Sequence, residues 1–299
     1  MKHVVWKSAL WLCLLVGSNG LWAATPIATV TIADGEVLLI RDASRLLLVE
    51  GVRLVKDDIV ETSAKGRLVR MEFSDGVIVD LGPESRALLA PKLSGERARL
   101  PARLHLLRGV AKLTVPQASP PVTAFSSPPF DVTGVARSAV FIVHAGEAFA
   151  FAESGETALQ ERRDGKAGTT ASLKSGEFFA RTGDAKATVT SRPTPAFIQQ
   201  LPRAFLDTLP SRAALFKARE VEPKLLGDIG FADVEAWIDA DGLRSQFVVR
   251  WKALAQNPAF RDGLVANLPA HPEWDRTLFP EKYLPRTAAA SGPVYGNKP

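Results

Sequence analysis

Beyond the first two dozen residues the chain carries three histidines, His105, His144 and His271. A histidine does chemistry when a carboxylate orients it as an acid–base, or when it joins other ligands around a metal. The segment His271-Pro272-Glu273-Trp274-Asp275 gathers the right types within five residues. Pro269 and Pro272 make it a turn, however, and no second histidine stands at ligand spacing. It reads as a helix-to-loop corner pinned by Trp274. His105 and His144 fall on strand-like stretches, where a lone histidine is more often packed or on the surface than catalytic. No serine stands in a Gly-x-Ser-x-Gly elbow. Asp239-Ala240-Asp241-Gly242 has the look of a calcium loop. Its first and twelfth ligand positions would be Trp237 and Val248, which offer no side-chain oxygen, so Asp241-Gly242 reads as a helix stop. Asp57, Asp58 and Glu61 cluster beside Lys56. Paired carboxylates do acid–base work only in a cleft that shifts their pKa values, and the default is a solvated turn entering a strand. No catalytic, cofactor-binding or metal residue is assigned, no cofactor is implied, and the chain is not read as an enzyme.

The elements that must carry these residues are mostly strands. In residues 67–73, Val69, Met71 and Phe73 alternate with Leu68, Arg70 and Glu72; in 77–81, Val77, Val79 and Leu81 alternate with Ile78 and Asp80. A two-residue turn at Asp75-Gly76 would set Met71 against Asp80. A three-residue loop pairs Phe73 with Val77, Met71 with Val79 and Val69 with Leu81, so the apolar residues share one face. It needs a left-handed Gly76 and places Arg70 opposite Asp80 on the solvated face. Residues 25–41 read as a first hairpin around Asp34-Gly35, with a register left open because both parities are apolar. Further strands are expected at 44–49, 58–62 and 104–115. A proline-rich interruption covers 116–129, and strands at 130–181 are separated by turns at Ala145-Gly146, Ser154-Gly155, Asp164-Gly165 and Ser175-Gly176. Turns about every ten residues indicate a sandwich or barrel.

Near residue 190 the spacing changes from two to four. Thr194-Pro195 reads as an N-cap with proline in the first turn. Phe197, Leu201, Phe205 and Leu209 follow, interrupted by Pro202 and Pro210. Helices are expected at 231–240, at 243–254 and from Asn257-Pro258. Trp237, Trp251 and Trp274 all lie in this half. Trp237 and Trp251 read as core, and Trp274 as an exposed contact. The fold class is therefore a mainly β N-terminal domain, an antiparallel sandwich or barrel-like body of short strands, followed by a smaller α-helical C-terminal domain. The divisions are 1–23 as a signal peptide, 24–190 as the β-domain, 191–285 as the helical domain and 286–299 as a disordered tail.

The expected leader is marked by Lys2 and Lys7, an apolar run from 8 to 16 and small Ala23 at the expected cut. The apolar run is short for a membrane span. Its Cys13 is the chain's single cysteine, so the exported chain has neither disulfide nor thiolate site. The formal charge of +5 becomes +3 without Lys2 and Lys7, too small and too evenly spread to indicate nucleic acid. The expected location is periplasmic or secreted, with no stable membrane span after cleavage.

Gly51, Leu54, Asp58, Val60, Thr62, Gly66, Arg67, Phe73, Asp75-Gly76, Leu81-Gly82-Pro83 and Ser85 resemble the pattern of FecR-type periplasmic domains. A second block, 130–143, is similar, with Arg137-Ser138-Ala139-Val140-Phe141 where that family shows Arg-Gly-Thr, a variable residue and an aromatic. The resemblance covers about 30–181. It implies an adaptor of the cell envelope that engages a protein partner or a glycan, without the cytoplasmic segment that binds a sigma factor. Two alternatives remain. One is a polysaccharide-binding protein using Lys92, Arg97 and Arg99. The other is a hydrolase whose site joins His144 or His271 to a carboxylate between the two domains.

Overall fold

The computed structural model describes residues 24–117, 125–207 and 209–284. The expected leader with its cut at Ala23, and the expected tail, lie outside the described residues. The strands in order are β1 (Ala28–Asp34), β2 (Val37–Arg41), β3 (Ser44–Leu47), β4 (Arg53–Leu54), β5 (Ile59–Thr62) and β6 (Leu68–Phe73). Next come β7 (Ile78–Leu81), β8 (Arg86–Leu89), β9 (Leu104–Thr114), β10 (Phe125–Ser126), β11 (Phe130–Val135) and β12 (Ser138–His144). Then follow β13 (Glu147–Ser154), β14 (Thr157–Arg163), β15 (Lys166–Leu173), β16 (Phe178–Thr182) and β17 (Thr188–Thr190). The C-terminal part holds α1 (Pro195–Gln200), α2 (Arg203–Leu206), β18 (Lys224–Asp228), α3 (Phe231–Ile238), α4 (Arg244–Trp251), α5 (Pro258–Ala266) and α6 (Asp275–Leu278).

The strands build two sheets. The first runs β4-β1-β6-β7-β9-β12-β13-β16-β17. The second runs β18-β3-β2-β5-β8-β9-β10-β11-β14-β15. Every pairing is antiparallel except β9 with β10. Val30, Val69 and Met71 of the first sheet meet Leu39, Val60 and Ala87 of the second in the main core. The expected mainly antiparallel sandwich with a smaller helical part is the fold observed.

Strand β9 belongs to both sheets. Its start pairs with β8, and its end pairs with β7 and β12. The bend lies at Gly109, at φ +108, where a Cβ would overlap the Cα and Oγ of Ser85. The Ser85 hydroxyl accepts from the Val110 amide at 2.9 Å. Thr62 braces the same corner, donating to the Gly82 carbonyl at 2.6 Å and accepting from the Ser85 amide at 2.8 Å. Thr62, Gly82 and Ser85 in the sequence pattern are therefore corner residues.

The β6–β7 hairpin has the expected register, with Val69 on Leu81, Arg70 on Asp80 and Met71 on Val79. The Phe73 amide donates to the Val77 carbonyl, and Gly76 sits at φ +83. Its expected solvated face is covered: Arg70 is 4% exposed and Asp80 2%. The cover is the chain from α1 onward, whose Phe197 and Phe205 pack on Leu68, Val110, Val140, Ile142 and Phe178. Residues 25–41 form no hairpin. β1 pairs with β4 and β6, β2 pairs with β3 and β5, and Gly35 passes the chain between sheets. The ambiguous parity of this region has a physical cause, because β2 is buried on both faces. Val37 and Leu39 enter the main core, while Ile40 meets the helices.

The helices from 231 onward pack on the outer face of the second sheet. Ile40, Ile59 and Leu88 share one cluster with Trp237, Phe247, Trp251 and Trp274. The helical core is thus completed by the sheet, and β18, within the stretch expected to be helical, pairs with β3. Thr194 caps α1 by accepting from Phe197, and Asn257 caps α5, as their types require. Trp274 is fully buried and not an exposed contact. Among the described residues no helix is long and apolar enough to cross a membrane.

Candidate functional site

The residues singled out by type are dispersed. His271 is sealed in the helical layer, with Nδ1 2.7 Å from the Asp239 carboxylate and Nε2 3.0 Å from the Leu264 carbonyl. Both nitrogens are taken by protein. Asp58 is buried and not solvated: it receives a two-pronged contact from Arg41 at 2.9 and 2.7 Å and the Val55 amide at 2.8 Å. Glu61 accepts from Trp237 Nε1 at 2.7 Å. Asp57 accepts from Gln246 at 3.0 Å. Burial raises the Asp57 carboxyl above its ordinary value. Glu61 and Asp57 fasten the helices to the second sheet, whereas Asp58 is held within the β part. Of the expected basic loop, Lys92 and Arg99 are exposed, but Arg97 is buried with its Nε 3.4 Å from Asp131. Three cations in a row along that loop do not form one surface.

His105 lies in a sealed polar cluster between β9 and β10. Its Nδ1 is 2.9 Å from the Ser126 hydroxyl, and its Nε2 has no partner. Complete burial, with Arg97 close by, pushes the imidazole down to about 3, so it is neutral at ordinary pH. Around it Arg97 donates to the Ser127 carbonyl at 3.0 Å, and Arg162 holds Asp131 at 2.6 Å and Glu96 at 3.0 Å.

Arg162 also lines an open cleft of about 1160 Å³. Its walls come from β8, β9, the β12–β13 turn, the end of β14, the end of β16 and Ala236 of α3. Five arginines reach it: Arg86, Arg108, Arg162, Arg163 and Arg181. Apart from Arg162, none has a carboxylate at hydrogen-bond distance among the described residues. Arg86 stands 3.7 Å from Glu61, Arg108 3.6 Å from Glu84 and Arg181 3.9 Å from Glu161. Arg163 is fixed by the carbonyls of Asp184 and Ala185 at 2.9 and 2.8 Å, and Arg181 by that of Arg162 at 2.9 Å. A carbonyl orients a guanidinium without neutralising it. Burial lowers the Arg181 guanidinium; Glu161 opposes this and Arg163 adds to it. An incoming anion would relieve that pressure.

The cleft also brings His144 beside Glu147, Asp164 and Asp184, the neighbourhood that the hydrolase alternative requires. His144 and Glu147 flank the Ala145-Gly146 turn as a strand pair. Among the described residues no hydrogen bond joins His144 to a carboxylate, and the described lining holds no serine, threonine or cysteine. Sequence spacing did not reveal the cleft, because its arginines come from four strands spread over nearly a hundred positions. The adjacent pair Arg162-Arg163 before Asp164-Gly165 was the one local signal.

No family model matches the chain, and no curated protein matches it in sequence. Two crystal structures, each of a candidate anti-sigma factor from Parabacteroides distasonis ATCC 8503, are similar over part of it. Identities are 12% and 13% and the TM-score is 0.35 for both, with 45% of this chain covered. The match spans 59% of the length of those proteins. At that overlap the likeness carries no argument.

Proposed function

We propose that the chain is an exported, FecR-type adaptor of the cell envelope. It binds a protein partner through an acidic segment seated in the arginine cleft, and it catalyses no reaction. The carrying observation is the convergence of Arg86, Arg108, Arg163 and Arg181 on one cleft, where main-chain carbonyls orient Arg163 and Arg181 and the carboxylates paired with Arg86, Arg108 and Arg181 stand 3.7, 3.6 and 3.9 Å away, beyond hydrogen-bond distance. Oriented, under-neutralised arginines suit carboxylate recognition in a way that a loose lysine patch does not. The cleft acids Glu147, Asp164 and Asp184 leave the lining net positive and would repel an acidic segment that entered in the wrong register. The leader-like pattern at 1–23 and the FecR-like pattern at 30–181 support a binding role in the periplasm or outside the cell.

The test is retention of envelope proteins on the immobilised chain, compared with an Arg108→Glu, Arg163→Glu variant. The parent should hold a protein that the variant loses, with retention falling as salt shortens the screening length. Equal retention by both chains refutes the cleft as the site. Co-pelleting of the parent with purified sacculi, lost in the variant, would assign the cleft to an acidic glycan instead.

A further inference from the structure

The outer face of the first sheet carries charge at one end and apolar groups at the other. Arg70, Glu72, Asp80 and Lys112 mark the charged end; Val140, Ile142 and Phe178 mark the apolar end. The alternation in the sequence makes this a surface face, yet it is covered. Its mixture of apolar patch and charged flank is that of an interface more than of a core.

The cover is residues 195–213. Its helices are six and four residues long and are separated by Pro202, far below the length at which a helix holds itself. Its order therefore comes from the sheet beneath. The sheet reads mostly main chain. Lys112 Nζ donates to the Phe205 carbonyl at 2.6 Å, and Arg70 donates to the carbonyls of Leu209 and Pro210 at 3.0 and 3.2 Å. Glu72 accepts from the amides of Arg212 and Ala213 at 2.8 and 3.2 Å. Among the described residues Ser211 adds the one side-chain hydrogen bond to this face, to Glu72. Two aromatic anchors, Phe197 and Phe205, fill the apolar end. Main-chain contacts tolerate many sequences, so selectivity rests on the anchors.

We infer that this face is a peptide-binding groove occupied in cis by residues 195–207 and 209–213, and that it accepts a protein segment of the same chemistry. Such a segment presents two aromatic side chains about eight positions apart, and then free amides to Glu72. When the cis segment lifts, Arg70, Glu72 and Lys112 regain water, which offsets part of the loss of their contacts, so the larger share of the cost of opening falls on the apolar end. The outer side of the segment already faces solvent through Ile198 and Leu206. The inference rests on the chain being a protein-binding module but not on the arginine cleft, whose variant leaves the groove intact.

The probe is a labelled peptide of residues 195–213, added to the full chain and to a Phe197→Ala, Phe205→Ala variant. The variant should bind at least tenfold more tightly than the parent, and adding Glu72→Gln should weaken that binding at least fivefold. A variant that keeps its β circular dichroism and cooperative melt but binds no better than the parent overturns the inference. Dimers formed by exchange of the segment would make a second copy the occupant, and they also overturn it. If the variant does not fold, hydrogen exchange on the parent decides. Phe205 and Arg212 amides should exchange at least tenfold faster than those of β6 and β7; equal rates overturn the inference.

Discussion

His105 makes the stability of the fold fall steeply with acid. The imidazole is buried, neutral and pushed down to about 3, whereas in the unfolded chain it titrates near 6.5. Between those values the unfolded state binds a proton that the native state refuses, so stability is lost as pH falls through 6.5 and continues to fall toward 3. From pH 7 to pH 5 the loss from this one group is about 2 kcal/mol, and over the whole window about 4–5 kcal/mol. The assay is urea unfolding at half-unit pH steps for the parent and for His105→Gln. The variant begins at a different stability, so the comparison is of slopes. The parent should lose about 2 kcal/mol more than the variant between pH 7 and 5. Asp57 and Glu61, whose carboxyls burial raises, contribute equally to both chains and cancel in the difference. Parallel curves would show that the imidazole takes up its proton in the folded state, and the argument from burial beside Arg97 would fail.

Gly109→Ala places a Cβ on Ser85 at a positive φ, and it should cost about 3 kcal/mol or more by denaturant unfolding. Gly76→Val, at φ +83 with Pro116 3.1 Å from the new Cβ, should cost about 1 kcal/mol or more; unchanged stability would contradict the bulged turn. Expressed apart, residues 24–191 should give a β-rich spectrum and a cooperative melt. Residues 194–299 lack Ile40, Ile59 and Leu88 and should melt without cooperativity; a sharp helical transition in that fragment would show an independent domain.

The β6–β7 hairpin was legible in sequence because its evidence is local: alternation, one glycine and one charge pair fix the register. What lies over it was not, since the carbonyl that Arg70 reaches at Leu209 is 139 residues away. Turn signals were equally blind to destination. Asp34-Gly35 and Asp164-Gly165 look alike, yet the second closes the β14–β15 hairpin and the first sends the chain to the other sheet. A turn dipeptide specifies backbone angles, whereas the choice of sheet is made by which strand edge is vacant. Trp274 misled for a similar reason: two neighbouring prolines indicate a loop, but they do not say whether a helical layer closes over it. Arg97 likewise stands among exposed cations in sequence, and only the position of Asp131 turns it inward.

The sharing of β9 between both sheets imposes an order in time. Synthesis delivers the chain from its N-terminus, so β7 and β8 each wait with an open edge until residues 104–114 arrive. That one strand then closes both edges and offers new ones to β10 and β12. Until then the nascent chain presents two sticky borders, and Ile40, Ile59 and Leu88 stay bare until the last helices are made. A chain stopped just before Leu104 should therefore recruit holding chaperones, whereas one stopped after Thr190 should have both borders closed and an apolar patch on the outer face of each sheet still uncovered.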